Sequence, residues 1–433
     1  MVIDKDNIKI LLIILVLGLG IGYAYINSDL NINGTAQVNS ANWDVHWANV
    51  QVTNGSVSGT NVVTAPSISN STTVSYSIIL NTPGDYYEFT VDAVNGGNID
   101  AMIDTIDSKL NGATITALPE YLNYTVSYYD GIPLQANQLL AANSTEKYKI
   151  RIEYRTDIEL NQIPATNQTL SLQFTVTYRQ ATNSATAIDH SFANQSWEAI
   201  IDNVRSGNTS NYNVGDTKTV DMGTLGTHTL RIANKSTPAE CSTTGFSQTA
   251  CGFVLEFSDV IINHRINPYT SGVTTSGNGN IGGWPASEMR AYVNSDIYNA
   301  LPEELRNGII NTTLVSGHGN TAGETNFTST DKLYLLSTHE VWEDVDGNTS
   351  SGIDYYDTAY NNTRQLDYYS SQNITTSSYS GAIKQNNGSN YYWWMRSASS
   401  NVISGFFTVT NAGGCTYTYS SRADGVSPAF RIG

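Results

Sequence analysis

Alternation of apolar and polar side chains dominates the first half of the chain. Thr73–Leu80 (TVSYSIIL), Tyr86–Val94 (YYEFTVDAV), Tyr121–Tyr129 (YLNYTVSYY), Glu146–Tyr154 (EKYKIRIEY) and Leu170–Tyr178 (LSLQFTVTY) each run for a strand's length with a period near two. Gly, Asn and Pro lie between them, as in Asn81-Thr-Pro-Gly84, so a turn follows each strand. Strands with no strong helix between them bury their apolar faces by closing as two sheets. Residues 29–180 are therefore read as an all-β sandwich. One short helical insert is expected around Ile99–Leu110.

The pattern changes after that. Residues 181–194 (ATNSATAIDHSFAN) have no periodicity and read as a linker. Residues 195–433 mix both periods and predict an α+β domain. WEAIIDNVRSG places apolar residues at helical spacing and stops at Gly207. Strands are expected over Thr217–Met222, Thr227–Ala233 and Phe253–Ile262. A helical region spans Gly282–Ile310, with Pro285 in a first turn and Pro302-Glu303-Glu304 opening a second helix. Lys332–Leu336 (KLYLL) reads as a short buried strand, and Ser337-Thr-His-Glu340 as a capping box. Near the C-terminal end, Tyr391–Ser397 is an aromatic strand and Phe406–Thr410 and Cys415–Tyr419 form a hairpin around Asn411-Ala-Gly-Gly414. Gly425–Ile432 is a strand that pairs back into the sheet.

Composition sharpens this picture. Charged residues are only 14% of the 433 and the formal net charge is −17, so polarity comes from Asn, Ser, Thr and 27 Tyr. A phosphate backbone needs clustered Lys and Arg, and no nucleic-acid partner is expected. From Ile10 to Tyr25 no charge occurs, and Lys5 and Lys9 precede the run. Such a run spans about 24 Å as a helix against roughly 30 Å of hydrocarbon. Residues 1–24 are read as a signal peptide cut after Ala24, with Gly22 at −3, or as a retained membrane anchor. Either reading places the rest of the chain at the cell surface or outside it. Cys241 and Cys251 share one polar loop and can close a small disulfide ring; the alternative is two separate buried thiols. Cys415 is left over.

The export segment ending GYAY, then NGTAQV, NWDVHW and PGDYYEFTVDAVN, resembles Gram-positive surface proteins of the biofilm-matrix fibre and camelysin type. For residues 1–180 that resemblance implies a jelly-roll-like sandwich able to self-associate with neighbouring copies. GGWPASEMRAYVN, LPEELRNGI, TDKLYLLSTHEVW, WWMRS and GVSPAF follow in order over residues 195–433. They resemble a bacterial family of C-type-lectin-like domains related in fold to the sulfatase-modifying-factor group. This resemblance implies a mixed α/β fold whose final hairpins and connecting loops display a binding surface.

The residues agree with binding. Between Ser397 and Asp424 lie mostly Ser, Asn, Gly, Thr and Tyr, the mixture of rigid rings and adaptable hydrogen bonders that serves recognition surfaces. Tyr417, Tyr419 and Arg422 are the leading contact candidates, with Asn401, Asn411 and Asp424 beside them. Trp393, Trp394 and Phe430 are assigned to the core, and Arg396 is either a buried partner or a contact.

Other chemistry finds little footing. The Glu-Pro-Asn, Gln-Pro-Asp and Trp-Asn-Asp strings of calcium-dependent sugar binding do not occur. Asp344-Val-Asp346-Gly-Asn348 begins like a calcium loop, but Tyr355 stands where the bidentate Glu belongs. No HExxH, Gly-x-Ser-x-Gly or phosphate cradle is present, and no second thiol accompanies Cys415. No metal, cofactor or catalytic residue is expected. The sequence points to an exported, surface-held binding or adhesion protein for a protein or glycan ligand. A structural fibre subunit is the alternative, and a sulfatase-modifying-type enzyme a more distant one.

Overall fold

Strand pairing follows the alternating segments closely. The computed structural model describes residues 6, 9, 12, 13, 40–53, 55–268, 279–320, 325–344 and 357–433. The export segment expected over residues 1–24 lies almost wholly outside them. Among the described residues no helix is long and apolar enough to cross a membrane.

The first domain contains β1 (Val45–Val52), β2 (Val62–Ser69), β3 (Thr73–Ile78), β4 (Tyr86–Asn95), β5 (Ala101–Leu110), β6 (Ala113–Thr114), β7 (Leu122–Tyr128), β8 (Leu139–Leu140), β9 (Ser144–Tyr154) and β10 (Leu170–Gln180). One sheet has the order β1-β4-β9-β7. The other runs β2-β3-β10-β5-β6, with β8 also on β5. Both close on a single core where rings from opposite sheets meet: the Trp47 centroid lies 5.1 Å from Tyr148 of its own sheet and 5.9 Å from Phe174 of the other.

The helix expected around Ile99–Leu110 is instead strand β5. Its register with β10 slips between Tyr178↔Ile103 and Thr177↔Thr105, leaving Asp104 as an extra residue. Ile103 and Ile106 stand three apart in the sequence, a spacing that imitates a helix face, but Ile103 is buried and Ile106 exposed. Exposed edges are blunted in two places. A bulge at left-handed Asn49 interrupts β1, and Pro66 removes a backbone donor from β2.

The second domain contains α1 (Trp197–Ser206), β11 (Thr217–Asp221), β12 (Thr227–Asn234), β13 (Val254–Phe257) and β14 (Ile262–His264). Next come α2 (Glu288–Tyr292, continued through a π-turn at Val293–Ile297 and Tyr298–Ala300), α3 (Glu303–Gly308), β15 (Thr312–Ser316), β16 (Phe327–Asp331), α4 (Thr338–Val341) and α5 (Asp367–Ser371). Then follow β17 (Lys384–Asn386), β18 (Ser389–Tyr391), β19 (Trp393–Ala398), β20 (Gly405–Val409), β21 (Cys415–Tyr419), β22 (Asp424–Val426) and β23 (Ala429–Arg431). Two sheets, β11-β12-β13-β23 and β14-β22-β19-β20-β21, share one core that contains Trp393, Trp394 and Phe430.

α1 begins where Ser196 accepts a bond from the Ala199 amide and ends at left-handed Gly207. The strand expected over Phe253–Ile262 breaks at Ser258-Asp259 and serves two sheets. Of Lys332–Leu336, Leu333 to Leu336 are buried, but the segment makes one bridge, Tyr334↔Ala429, rather than a ladder.

Residues 181–196 are stitched to both domains. Thr186 bridges Gln138 of the first domain, and the Ser196 amide donates to Asp130 O at 2.8 Å. Towards the second, Lys218 donates to Ala193 O at 2.9 Å and the Tyr212 hydroxyl to Gln195 Oε1 at 2.6 Å. His190 locks the middle, its Nδ1 2.6 Å from Asp130 and its Nε2 3.5 Å from Glu146. Bonds to Asp130 and then Glu146 push this imidazole up to about 10. A raised value means stabilisation that is complete below the ordinary histidine range and lost as pH rises through the folded value. An NMR titration should therefore find the His190 ring protonated at about pH 8, where a free histidine is neutral. A midpoint near 6.5 would show the lock is not charged.

Candidate functional site

The register of the last hairpin sorts the candidate residues. β21 is an edge strand, and Gly405↔Tyr419, Phe407↔Tyr417 and Val409↔Cys415 are its pairs with β20. Directly opposed residues project to the same side of a sheet. Cys415, Tyr417 and Tyr419 therefore share a face with Phe407 and Val409, while Thr416 and Thr418 share the other with Thr408 and Phe406. Tyr417 packs partly onto the core across Gly405, where a Cβ would come within 3.1 Å of its ring. Tyr419 is 53% exposed.

Arg422 belongs to the opposite face. Its guanidinium donates to Asp424 at 3.0 Å and Thr418 Oγ1 at 3.4 Å and stands 5.6 Å from the Tyr392 ring centroid. Asp424 is only 2% exposed, which corrects its assignment as a ligand contact. Its carboxylate steadies Arg422, and burial raises its pKa against the Arg422 charge. Asn411 sits in the Thr410–Gly414 turn at the far end of the hairpin. Four strand steps separate Cys415 from Tyr419, about 14 Å. There Gly413, at φ 92°, is required because a Cβ would strike the Tyr379 carbonyl. The structure thus brings Tyr417, Tyr419 and Asn401 to one end of the hairpin, keeps Arg422 at that end with its amide donating to Tyr419 O at 2.9 Å but its side chain on the other face, buries Asp424, and leaves Asn411 at the far end.

Sequence reasoning missed the neighbours of that end. The loop Ser399–Ser404 joins β19 to β20 beside Tyr419. Asn280 lies buried against this loop, and Asn320 donates to Ser400 O at 2.5 Å. Ile281, the next residue after Asn280, is 42% exposed. Gly279-Asn-Ile-Gly-Gly283 is rich in turn residues, and nothing local in it announces a role 119 residues away.

Beneath the hairpins are buried charges that are paired with one another. Both Arg396 terminal nitrogens meet Glu340, at 2.5 and 2.6 Å, and Thr249 and Thr363 donate to the same carboxylate. Burial works to raise the Glu340 carboxyl, yet the Arg396 charge overcomes it and holds the group below the ordinary range. Glu340 also reaches back to the Ser337 amide, completing the capping box. A second buried set joins Glu256 to Arg231 at 2.9 Å and to Lys384 at 2.7 Å. Arg396 is accordingly a buried partner.

Burial, with the Asp357 charge, pushes the Cys415 thiol up, opposite to the shift a nucleophile needs. Cys241 and Cys251 are disulfide-bonded. Asp344 accepts from the Thr376 amide and hydroxyl; Asp346, Asn348 and Tyr355 lie outside the described residues.

Residues 260–433 match a protein family described as a domain of unknown function (DUF6273). No curated protein and no solved structure matches the chain. The matched stretch holds the whole hairpin site but not all of the domain. β23 inside it pairs with β13 outside it, and Thr249 outside it serves Glu340 inside.

Proposed function

We propose that the protein is an exported cell-surface recognition protein: a sandwich stalk, jelly-roll-like in plan, carrying a C-type-lectin-like head that binds a protein or glycan ligand without covalent chemistry. One observation carries the reading. Among the described residues of the head, the large apolar side chains left exposed are Ile281 and Tyr419; Tyr419 pairs with Gly405 at the end of the loop Ser399–Ser404, and Ile281 follows Asn280, whose amide donates to Ile403 O in that loop. Exposed aromatic and aliphatic groups on a rigid frame mark contact surfaces, whereas scattered ones do not. The blunted edges at Asn49 and Pro66 favour a stalk over the alternative of a fibre subunit built by strand addition.

The test is a screen of the compact unit Trp43–Gly433 against glycan arrays and purified surface proteins. Tyr419→Ala should weaken a detected interaction roughly tenfold or more, while Asn411→Ala leaves it unchanged. Affinity untouched by Tyr419→Ala would end this reading.

A further inference from the structure

An Asn-Gly step can modify itself, because no side chain on the glycine hinders its nitrogen from reaching the asparagine carboxamide. The glycine nitrogen bonds to Asn Cγ, ammonia leaves, and a succinimide ring remains. Water then opens the ring. Opening at the main-chain carbonyl carbon gives isoaspartate, and opening at Cγ gives aspartate. Overall an amide becomes a carboxylate, with one water consumed and one ammonia released. In a folded chain the rate depends on how freely the carboxamide and the next nitrogen can meet.

Four Asn-Gly steps lie wholly among the described residues, at Asn95, Asn111, Asn307 and Asn387. Asn95 is without solvent contact. Its side-chain nitrogen donates to Ile99 O at 2.9 Å and Leu140 O at 3.1 Å, and its Oδ1 accepts from the Gly97 amide at 3.1 Å. After Asn307, Gly308 closes α3, so its nitrogen is committed to the helix. Gly308 is also buried where a Cβ would strike Ile201.

Asn111 and Asn387 occupy the same kind of place. Each opens a two-residue hairpin turn, with φ 51° then 83° for Asn111-Gly112 and 50° then 78° for Asn387-Gly388. Asn-Gly is the favoured pair for that turn. Their surroundings differ. Asn111 Oδ1 accepts from the Ser171 amide at 3.0 Å, and its own amide donates to Ser171 O at 2.7 Å. Its strand β5 is ten residues long and pairs with β10 as well. The Asn387 carboxamide has no hydrogen-bond partner among the described residues. Gly388 is exposed, and a Cβ built on it would meet nothing within 4 Å. β17 and β18 have three residues each and form a sheet of two strands, which opens readily.

We infer that Asn387 is a site of spontaneous deamidation, converting to aspartate and isoaspartate ahead of the other described Asn-Gly steps. The consequence falls on its neighbours. Asn386 donates to Asn263 Oδ1 at 3.1 Å, and Asn263 donates to the Tyr391 hydroxyl at 3.1 Å, so the hairpin is tied to β14. Isoaspartate lengthens the main chain by a methylene and no longer suits a two-residue turn. Either product adds a negative charge to a chain already at −17. The reaction needs only water and is independent of what the head binds.

The test is peptide mapping by mass spectrometry of the full chain, aged for days in mildly alkaline buffer. In the folded protein Asn387 should convert about tenfold faster, or more, than Asn95, Asn111 and Asn307. In denaturant the four steps share one chemistry and should convert within about threefold of one another. A folded protein in which any of the other three keeps pace with Asn387 overturns the proposal. So does one in which Asn387 stays an amide while the denatured chain converts. Asn387→Gln, whose longer side chain must close a larger ring, should leave its peptide unchanged over the same period. Conversion of that glutamine at the rate of Asn387 overturns the succinimide route.

Discussion

Arg396→Met should destabilise the second domain by about 3–5 kcal/mol, the usual cost of stripping one partner from a buried ion pair. Arg396 and Glu340 are both essentially without solvent contact, and the substitution would strand the carboxylate with only Thr249, Thr363 and the Ser337 amide. The loss is one of an uncompensated charge rather than of volume, because methionine fills most of the space. Replacing both partners, Glu340→Gln with Arg396→Met, should therefore cost clearly less than the sum of the two single changes. Denaturant unfolding of the four proteins in the cycle measures this. Additive costs would mean that the two groups do not act as a pair.

Removing the disulfide, as Cys241→Ala with Cys251→Ala, should cost about 2.5 kcal/mol, from the unfolded-chain freedom that closing a ring of roughly ten residues suppresses. Its sequence separation is 10, and the ring carries Thr249 and Ala250. Thr249 donates to Glu340, and Ala250 O accepts from Arg364 at 2.8 Å. Loosening the ring should thus also disturb the ion pair, and the two sets of substitutions should couple rather than add. Unfolding midpoints of the disulfide-free protein with and without Arg396→Met decide this. Independent effects would show that Thr249 is no link between them.

Much of the fold was legible because burial on one face writes itself as a period of two. The five alternating segments all become strands, and the Gly207 stop and the Ser337/Glu340 box fall where their chemistry requires. The misread strand β5 and the unread strands β1 and β2 share a cause. At β5 the extra residue Asp104 breaks the period, and at β1 and β2 Asn49 and Pro66 do the same, so partnered strands lose their signature. At the hairpin end proposed for recognition, the shared face of Tyr417 and Tyr419 was legible because alternate strand positions point the same way. Arg422, Asp424 and Asn411 could not be sorted, because which face or end they reach is decided by register and by the turn after Tyr419. Asn280 was invisible for a simpler reason: its acceptors are backbone carbonyls, which every residue has.

β22 and β23 are contributed by eight consecutive residues yet serve different sheets, one between β14 and β19 and the other beside β13. During synthesis the two sheets around Trp393 and Trp394 therefore lack a strand each until residue 431 has emerged. Truncation upstream of Asp424 removes β22 and β23 together and should cost both sheets of the second domain rather than one local feature. Only molecules read through to that point would ever present the Tyr419 end.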